Sequence, residues 1–156
     1  MLADWVWRRQ VAKVHAAFEA LDADRLVQFW PDDVVVEFQP GTPMAGEWRG
    51  RAEVTALFRA LFAQNVSLRA TLHHVAVQRP WSPTGTCTAL VEWSAVERGR
   101  DGHTLDVRLV SVAELRHWKT VRTRDFFFDV PGVAAHFATV DLPPRQATAP
   151  ATPTAA

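Results

Sequence analysis

Tyrosine is missing from this chain, and cysteine occurs only once, at Cys87. A single thiol excludes an intramolecular disulfide and any multi-cysteine metal site. Lysine is nearly missing too: Lys13 and Lys119 are the only two, and the other fifteen of the 17 basic residues are arginine. The 17 acidic residues balance them, so no net charge exists to draw the chain to nucleic acid or to an anionic membrane. No apolar run is long enough to span a bilayer, and Asp4, Arg8 and Arg9 interrupt the stretch where a signal peptide needs its apolar core. The expectation is a soluble, cytoplasmic protein with no nucleic-acid or membrane partner. Phosphate-cradling glycine loops, dinucleotide fingerprints and nucleophile elbows are also missing.

What remains is 156 residues, 48% of them apolar, enough for one domain with a substantial core. Trp7, Val11, Val14, Phe18 and Leu21 recur at helical spacing and predict a first helix from an Asp4 cap to about Ala20. A short second helix carries Leu26, Val27, Phe29 and Trp30 and stops at Pro31. Val34 to Phe38 reads as a strand. Gln39 to Gly50, with Pro40, Gly41, Pro43, Gly46 and Gly50, reads as a loop whose apolar members are Met44 and Trp48. Val54, Leu57, Phe58, Leu61 and Phe62 predict a third helix from about Arg51 to Gln64.

From Ser67 the period changes to that of strands. Segments at about Ser67–Arg79, Thr86–Arg98 and Thr104–His117, followed by Lys119–Asp129, are joined by short connections and should pair as antiparallel hairpins. A closing helix is expected near Val133–Ala138. Residues 1–142 then form a single α+β domain with helices on one face of a curved antiparallel sheet, and 143–156 a disordered Pro/Ala/Thr-rich tail.

Strand alternation sorts the candidate functional residues. In K-T-V-R-T-R-D-F-F-F-D, Val121, Thr123, Asp125 and Phe127 share one face, and Arg122, Arg124, Phe126 and Phe128 the other. If the first face points inward, Asp125 sits among apolar groups, resists ionisation and becomes usable as an acid or base near neutrality. The alternative is a strand-end carboxylate paired with a neighbouring arginine. Between His73 and His74, which point to opposite faces and cannot readily share a metal, His74 joins Leu68, Ala70, Leu72 and Ala76 and is expected inward, either as a second catalytic group or as a satisfied core histidine. Trp30, Phe38, Trp93 and Phe127, with Val107, Leu109 and Ser111 on the apolar face of their strand, either line a substrate pocket or fill the core. Met44 and Trp48 would close that pocket against water. His15 is placed at the edge of the first helix stripe, Glu37 outward, and Cys87 in packing. The mixed outer sheet face suits a homodimer interface.

The motifs F-E-A-L-D-A-D-R-L-V-Q-F-W, P-D-D-V-V-V-E-F, G-E-W-R-G-R-A-E-V and R-D-F-F-F-D, in this order and spacing over about Val6 to Val140, make the sequence resemble the nuclear transport factor 2-like superfamily and, within it, the SnoaL-like polyketide cyclases. The resemblance implies a cone-shaped α+β barrel, an apolar pocket between helices and sheet, frequent homodimers and no cofactor. SnoaL-like cyclases use an Asp near the closing motif as acid/base, and Asp125 matches that position. Limonene-epoxide hydrolases share the fold and a similar R-D-aromatic-F motif, but their Arg and Asp pair on an earlier strand, which falls near Glu92 to Ala95, is missing. Ketosteroid isomerases place a base where this chain has Phe38, and an oxyanion-binding Asp near Ser111. The resemblance therefore implies proton transfer by Asp125 on an apolar small molecule, with a non-catalytic binding module or an altered epoxide-hydrolase-like enzyme as alternatives.

Overall fold

The computed structural model describes the backbone of residues 2–28 and 30–145 and the side chains from Trp7 onward; Phe29 and residues 146–156, most of the expected tail, lie outside the described residues. Helix α1 runs Leu2–Glu19, so Asp4 lies inside it rather than capping it. Its Val11, Val14 and Phe18 pack on the main core, while Trp7 joins Cys87, Ala89 and Leu115 in a smaller cluster at one end. Helix α2, Ala23–Val27, starts at Asp22, whose carboxylate accepts the Arg25 amide at 2.9 Å. Helix α3, Arg51–Gln64, buries Val54, Leu57, Phe58, Leu61 and Phe62, and the full burial of each such side chain stabilises the fold by about 1.5–3 kcal/mol. At its start the Glu53 carboxylate accepts the Arg49 amide at 2.9 Å, a role no glycine at the cap position could fill.

Six strands form one curved sheet: β1 Val35–Phe38, β2 Gly46–Arg49, β3 Asn65–Gln78, β4 Cys87–Gly99, β5 Thr104–Arg116 and β6 Lys119–Phe127, in the order β2-β1-β6-β5-β4-β3. The three expected hairpins are present and antiparallel. The curved, unclosed sheet, with β2 and β3 at its two edges, is the cone-like α+β arrangement expected. Two features differ from the sequence reading. The sheet is mixed, because β1 lies parallel to β6, with Phe38 level with Asp125. Part of the expected Gln39–Gly50 loop is a strand: β2 pairs with β1, Trp48 opposite Val36, beginning at Gly46 with φ +97°, a conformation side chains avoid.

Helix α4, Val130–His136, begins three residues earlier than expected, with Pro131 in its first turn and Asp129 accepting the Gly132 amide at 3.0 Å. Beyond Leu142 the described chain is packed at one point at least: the Arg145 guanidinium lies 4.4 Å from the centre of the Trp48 ring. No described helix is long and apolar enough to cross a membrane.

Two bulges control which side chains face the helices. In β3 Leu72 pairs with Trp93 but His74 with Glu92, leaving His73 as an extra residue. Before the bulge Leu68, Ala70 and Leu72 face the core; after it Val75 and Val77 do. A second bulge leaves Val121 unpaired in β6, between Thr120 opposite Leu115 and Arg122 opposite Glu114. It precedes Thr123, so alternation from Thr123 to Phe127 is undisturbed.

Candidate active site

Asp125 points inward from β6 and is 8% exposed. The two arginines that precede it in β6 project from the opposite face: Arg122 binds Glu37 at 2.6 Å and also Glu47, and Arg124 binds Glu114 at 3.0 Å. Their charges are thus taken up outside, and Asp125 carries no salt bridge among the described residues. Its hydrogen-bond partner comes from the neighbouring strand. Ser111 lies directly opposite on β5, and its hydroxyl donates to Asp125 Oδ1 at 2.5 Å. The same hydroxyl accepts the Trp93 indole N–H at 3.0 Å, so β4, β5 and β6 each contribute one member of a Trp93–Ser111–Asp125 chain. Burial pushes the Asp125 carboxyl up to about 6, and the Ser111 hydrogen bond, which favours the charged form, holds it from rising further.

Two spaces meet at Asp125. One is a large cavity of about 940 Å³ between α1, α2 and the concave face of β4–β6, with Trp7, His15, Trp30, Trp93 and Ser111 among its walls. The other is a small apolar void of about 40 Å³ toward α3 and α4. The residues expected to surround a substrate divide between them, with Trp93 bordering both. Trp30, Trp93 and Ser111 line the large cavity. Phe38, Val107, Leu109 and Phe127 line the small void, where the Phe38 and Phe127 rings stack 6.3 Å apart with planes 2° from parallel. A space that small takes little more than water, so these four side chains form a packed floor behind Asp125.

Two expected site residues lie elsewhere. His74 is on the outer face, its side chain 76% exposed, with Nδ1 2.6 Å from Glu92. The bulge at His73 reversed the alternation that had pointed it inward. Trp48 is 1% exposed and lines neither space; its indole N–H donates to the Met44 carbonyl at 2.8 Å, which makes it a core residue of the β1–β2 hairpin rather than part of a lid. Glu37 and Phe38 are placed as expected, outward and inward. Cys87 is buried, and its thiol is pushed up by that burial, consistent with a packing role.

Sequence reasoning missed two groups. His15 is buried on α1, lines the large cavity and stacks obliquely on Trp93 with ring centres 4.9 Å apart. Burial lowers its pKa and so favours the neutral imidazole, partly opposed by Glu19. The signal was present: Val11, His15 and Phe18 recur at i, i+4 and i+7 on one helix face. The second group is a buried polar cluster at the other end of the sheet. The Asn65 amide donates to Glu97, and Asn65 Oδ1 lies 2.9 Å from His136 Nε2. Burial raises Glu97 to about 7, with the Asn65 hydrogen bond opposing. Nothing local announces this cluster, because β3, β4 and α4 each supply one member. Among the described residues no three His, Cys, Asp or Glu side chains are grouped to hold a metal ion.

With this geometry in view, a family model described as the SnoaL-like domain matches residues 11–123. The chain belongs to the SnoaL-like domain family. Solved structures of similar shape share its fold. Bal32a, from a soil-derived mobile gene cassette, is 21% identical over 86% of this chain and 98% of its own, with a TM-score of 0.65. TerC, co-crystallized with polyporic acid, is 16% identical over 83% and 95%, with a TM-score of 0.66. A protein of ketosteroid isomerase-like fold from Catenulispora acidiphila, in complex with trimethylamine, is 12% identical over 81% and 89%, with a TM-score of 0.65. NTF2-like proteins are among the further matches, so the fold expected from the sequence is the one observed. At these identities the likeness is one of fold. No curated protein matches the chain. The SnoaL-like match ends at Thr123, two residues before Asp125, so membership by itself assigns Asp125 no role.

Proposed function

We propose that this SnoaL-like protein is an enzyme that moves a proton on an apolar, polyketide-like small molecule held in the large cavity, with Asp125 as acid and base. The observation that carries this reading is a buried carboxylate at the cavity floor whose pKa is pushed up to about 6 and whose partner is a neutral hydroxyl instead of a cation. Such a group gives up and takes back a proton near neutrality, where an ordinary aspartate is already fully ionised.

In the simplest cycle the Asp125 carboxylate removes a proton from a carbon next to a substrate carbonyl. The electron pair of that C–H bond becomes the enolate. Asp125, now neutral, returns the proton to the carbon or oxygen where the rearranged product needs it. Isomerisation, cyclisation and dehydration all fit this exchange. Ser111 orients the carboxylate, Trp93 fixes Ser111, and Trp30 and Trp93 offer apolar walls to the substrate. TerC, a protein of the same fold, was co-crystallized with polyporic acid, which supports a small-molecule site in this fold. A positioned acid/base contributes about 10²–10⁴-fold. The test is turnover on a panel of polyketide-like ketones: Asp125→Asn should lose activity by about that factor, and full turnover in the variant sinks the catalytic reading.

A second reading is a binding module that uses the same cavity without chemistry. It is favoured by one observation: Ser111 is the only side chain that hydrogen-bonds Asp125 among the described residues, so no second ionisable group stands ready to share the proton. Under that reading ligand affinity survives Asp125→Asn, and no substrate is consumed.

A further inference from the structure

The whole chain is neutral, but the large cavity is not. Among the described residues its ionisable wall residues are Lys13 on α1, Arg25 on α2, Arg51 at the start of α3 and Lys119 on β6, with His15 and His117, against a single carboxylate, Asp125. Arg51 is spoken for by Asp32 at 3.2 Å and by the Trp30 carbonyl. Lys13, Arg25 and Lys119 have no ion pair among the described residues. Six other arginines, Arg49, Arg59, Arg108, Arg116, Arg122 and Arg124, each hold a carboxylate.

Position gives the imbalance a direction. Lys13, Arg25 and Lys119 are exposed, whereas His15, Trp30, Trp93 and Asp125 on the same cavity wall are buried. The cavity therefore runs from an unpaired cationic mouth, through aromatic walls, to one acid at its floor. Low-dielectric walls focus such a field toward the opening and attract a molecule of the opposite sign. An anion bound at the mouth also stays away from Asp125, whose own charge would repel it.

We propose that the ligand of this cavity is an amphipathic anion: an apolar or aromatic body that reaches inward to Asp125, carrying a carboxylate or a similarly acidic group held at the mouth by Lys13, Arg25 and Lys119. This rests on the cavity being the substrate site, as argued above, and names the class of substrate it takes. The group read at the mouth is remote from the proton transfer, so it sets affinity and orientation and takes no part in the chemistry.

The test uses two uncharged-body analogues, anthraquinone-2-carboxylate and anthraquinone-2-carboxamide, titrated against the full chain by tryptophan quenching, with calorimetry as a check. The carboxylate should bind about tenfold more tightly than the amide at low salt, as three exposed ion pairs permit, and the advantage should shrink toward unity in about 0.5 M NaCl. In the triple variant Lys13→Gln, Arg25→Gln, Lys119→Gln the two ligands should bind alike, at the amide's original affinity. In Asp125→Asn the carboxylate preference should persist. Equal or tighter binding of the amide to the wild-type chain overturns the anionic class while leaving the cavity as a ligand site. Failure of both ligands to bind overturns the class and the cavity reading together. A carboxylate preference in a protein that turns nothing over retains the class and removes only the catalysis.

Discussion

Ser111 and Asp125 face each other across β5 and β6, the serine hydroxyl 2.5 Å from the carboxylate. The serine opposes burial. It gives the carboxylate its hydrogen bond and so lowers its pKa, while the burial of Asp125 raises it further than the bond can offset. Ser111→Ala removes the lowering influence. Its Asp125 should titrate above the value of about 6 expected in the wild-type chain, and the acidic limb of kcat/KM should move to higher pH with it. The variant also leaves the Trp93 indole N–H without its acceptor, at a cost of about 1–3 kcal/mol. Carboxyl NMR titration of the two proteins, with Asp125→Asn to assign the signal, checks this. A pKa that stays put or falls would mean Ser111 does not tune the acid.

The buried Glu97 makes a prediction about stability rather than activity. Its folded pKa of about 7 lies above the ordinary 4.5, so the native state keeps a proton that the unfolded chain has lost. Stability is therefore fully present below about pH 4.5 and falls as pH rises toward 7, by an amount on the order of 3 kcal/mol for this group. Glu97→Gln keeps an oxygen for the Asn65 amide and removes the titration. In urea melts at pH 5 and pH 8 the variant should gain on the wild-type chain at the higher pH. An identical pH slope in both proteins would show that Glu97 does not carry the effect.

Trp48 and His74 offer a contrast between a residue that packs and one that does not. Trp48→Ala should cost about 3–5 kcal/mol, since the ring is 1% exposed at the centre of the β1–β2 hairpin. His74→Ala should change stability by less than about 1 kcal/mol, because its pair with Glu92 stands in solvent. It should also leave turnover untouched. Thermal melts with activity assays decide both; a marked loss of turnover on replacing His74 would return it to the site.

Short-range pattern sufficed for the order and type of nearly every element. The helix stripes, the four long strands and their hairpins are written in the spacing of apolar residues, which neighbours in the chain determine. Asp125 was legible for the same reason: the alternation from Thr123 to Phe127 is uninterrupted, so one polar residue on an apolar face could be located from the chain alone.

What the sequence could not supply was anything decided between strands. The bulge at His73 is a matter of how β3 pairs with β4, and one extra residue there sent His74 to solvent. Gly46–Arg49 became a strand only because β1 lay beside it to take its hydrogen bonds. The parallel pairing of β1 with β6, the placing of Ser111 opposite Asp125, and the division of apolar residues between an open cavity and a packed floor are all results of register. So is the meeting of Asn65, Glu97 and His136 from three separate elements. Local periodicity thus fixed which face each stretch of chain offers, and tertiary pairing decided what that face meets. Periodicity is a property of residues a few positions apart, whereas register depends on hydrogen bonds and side-chain packing between segments far apart in the sequence.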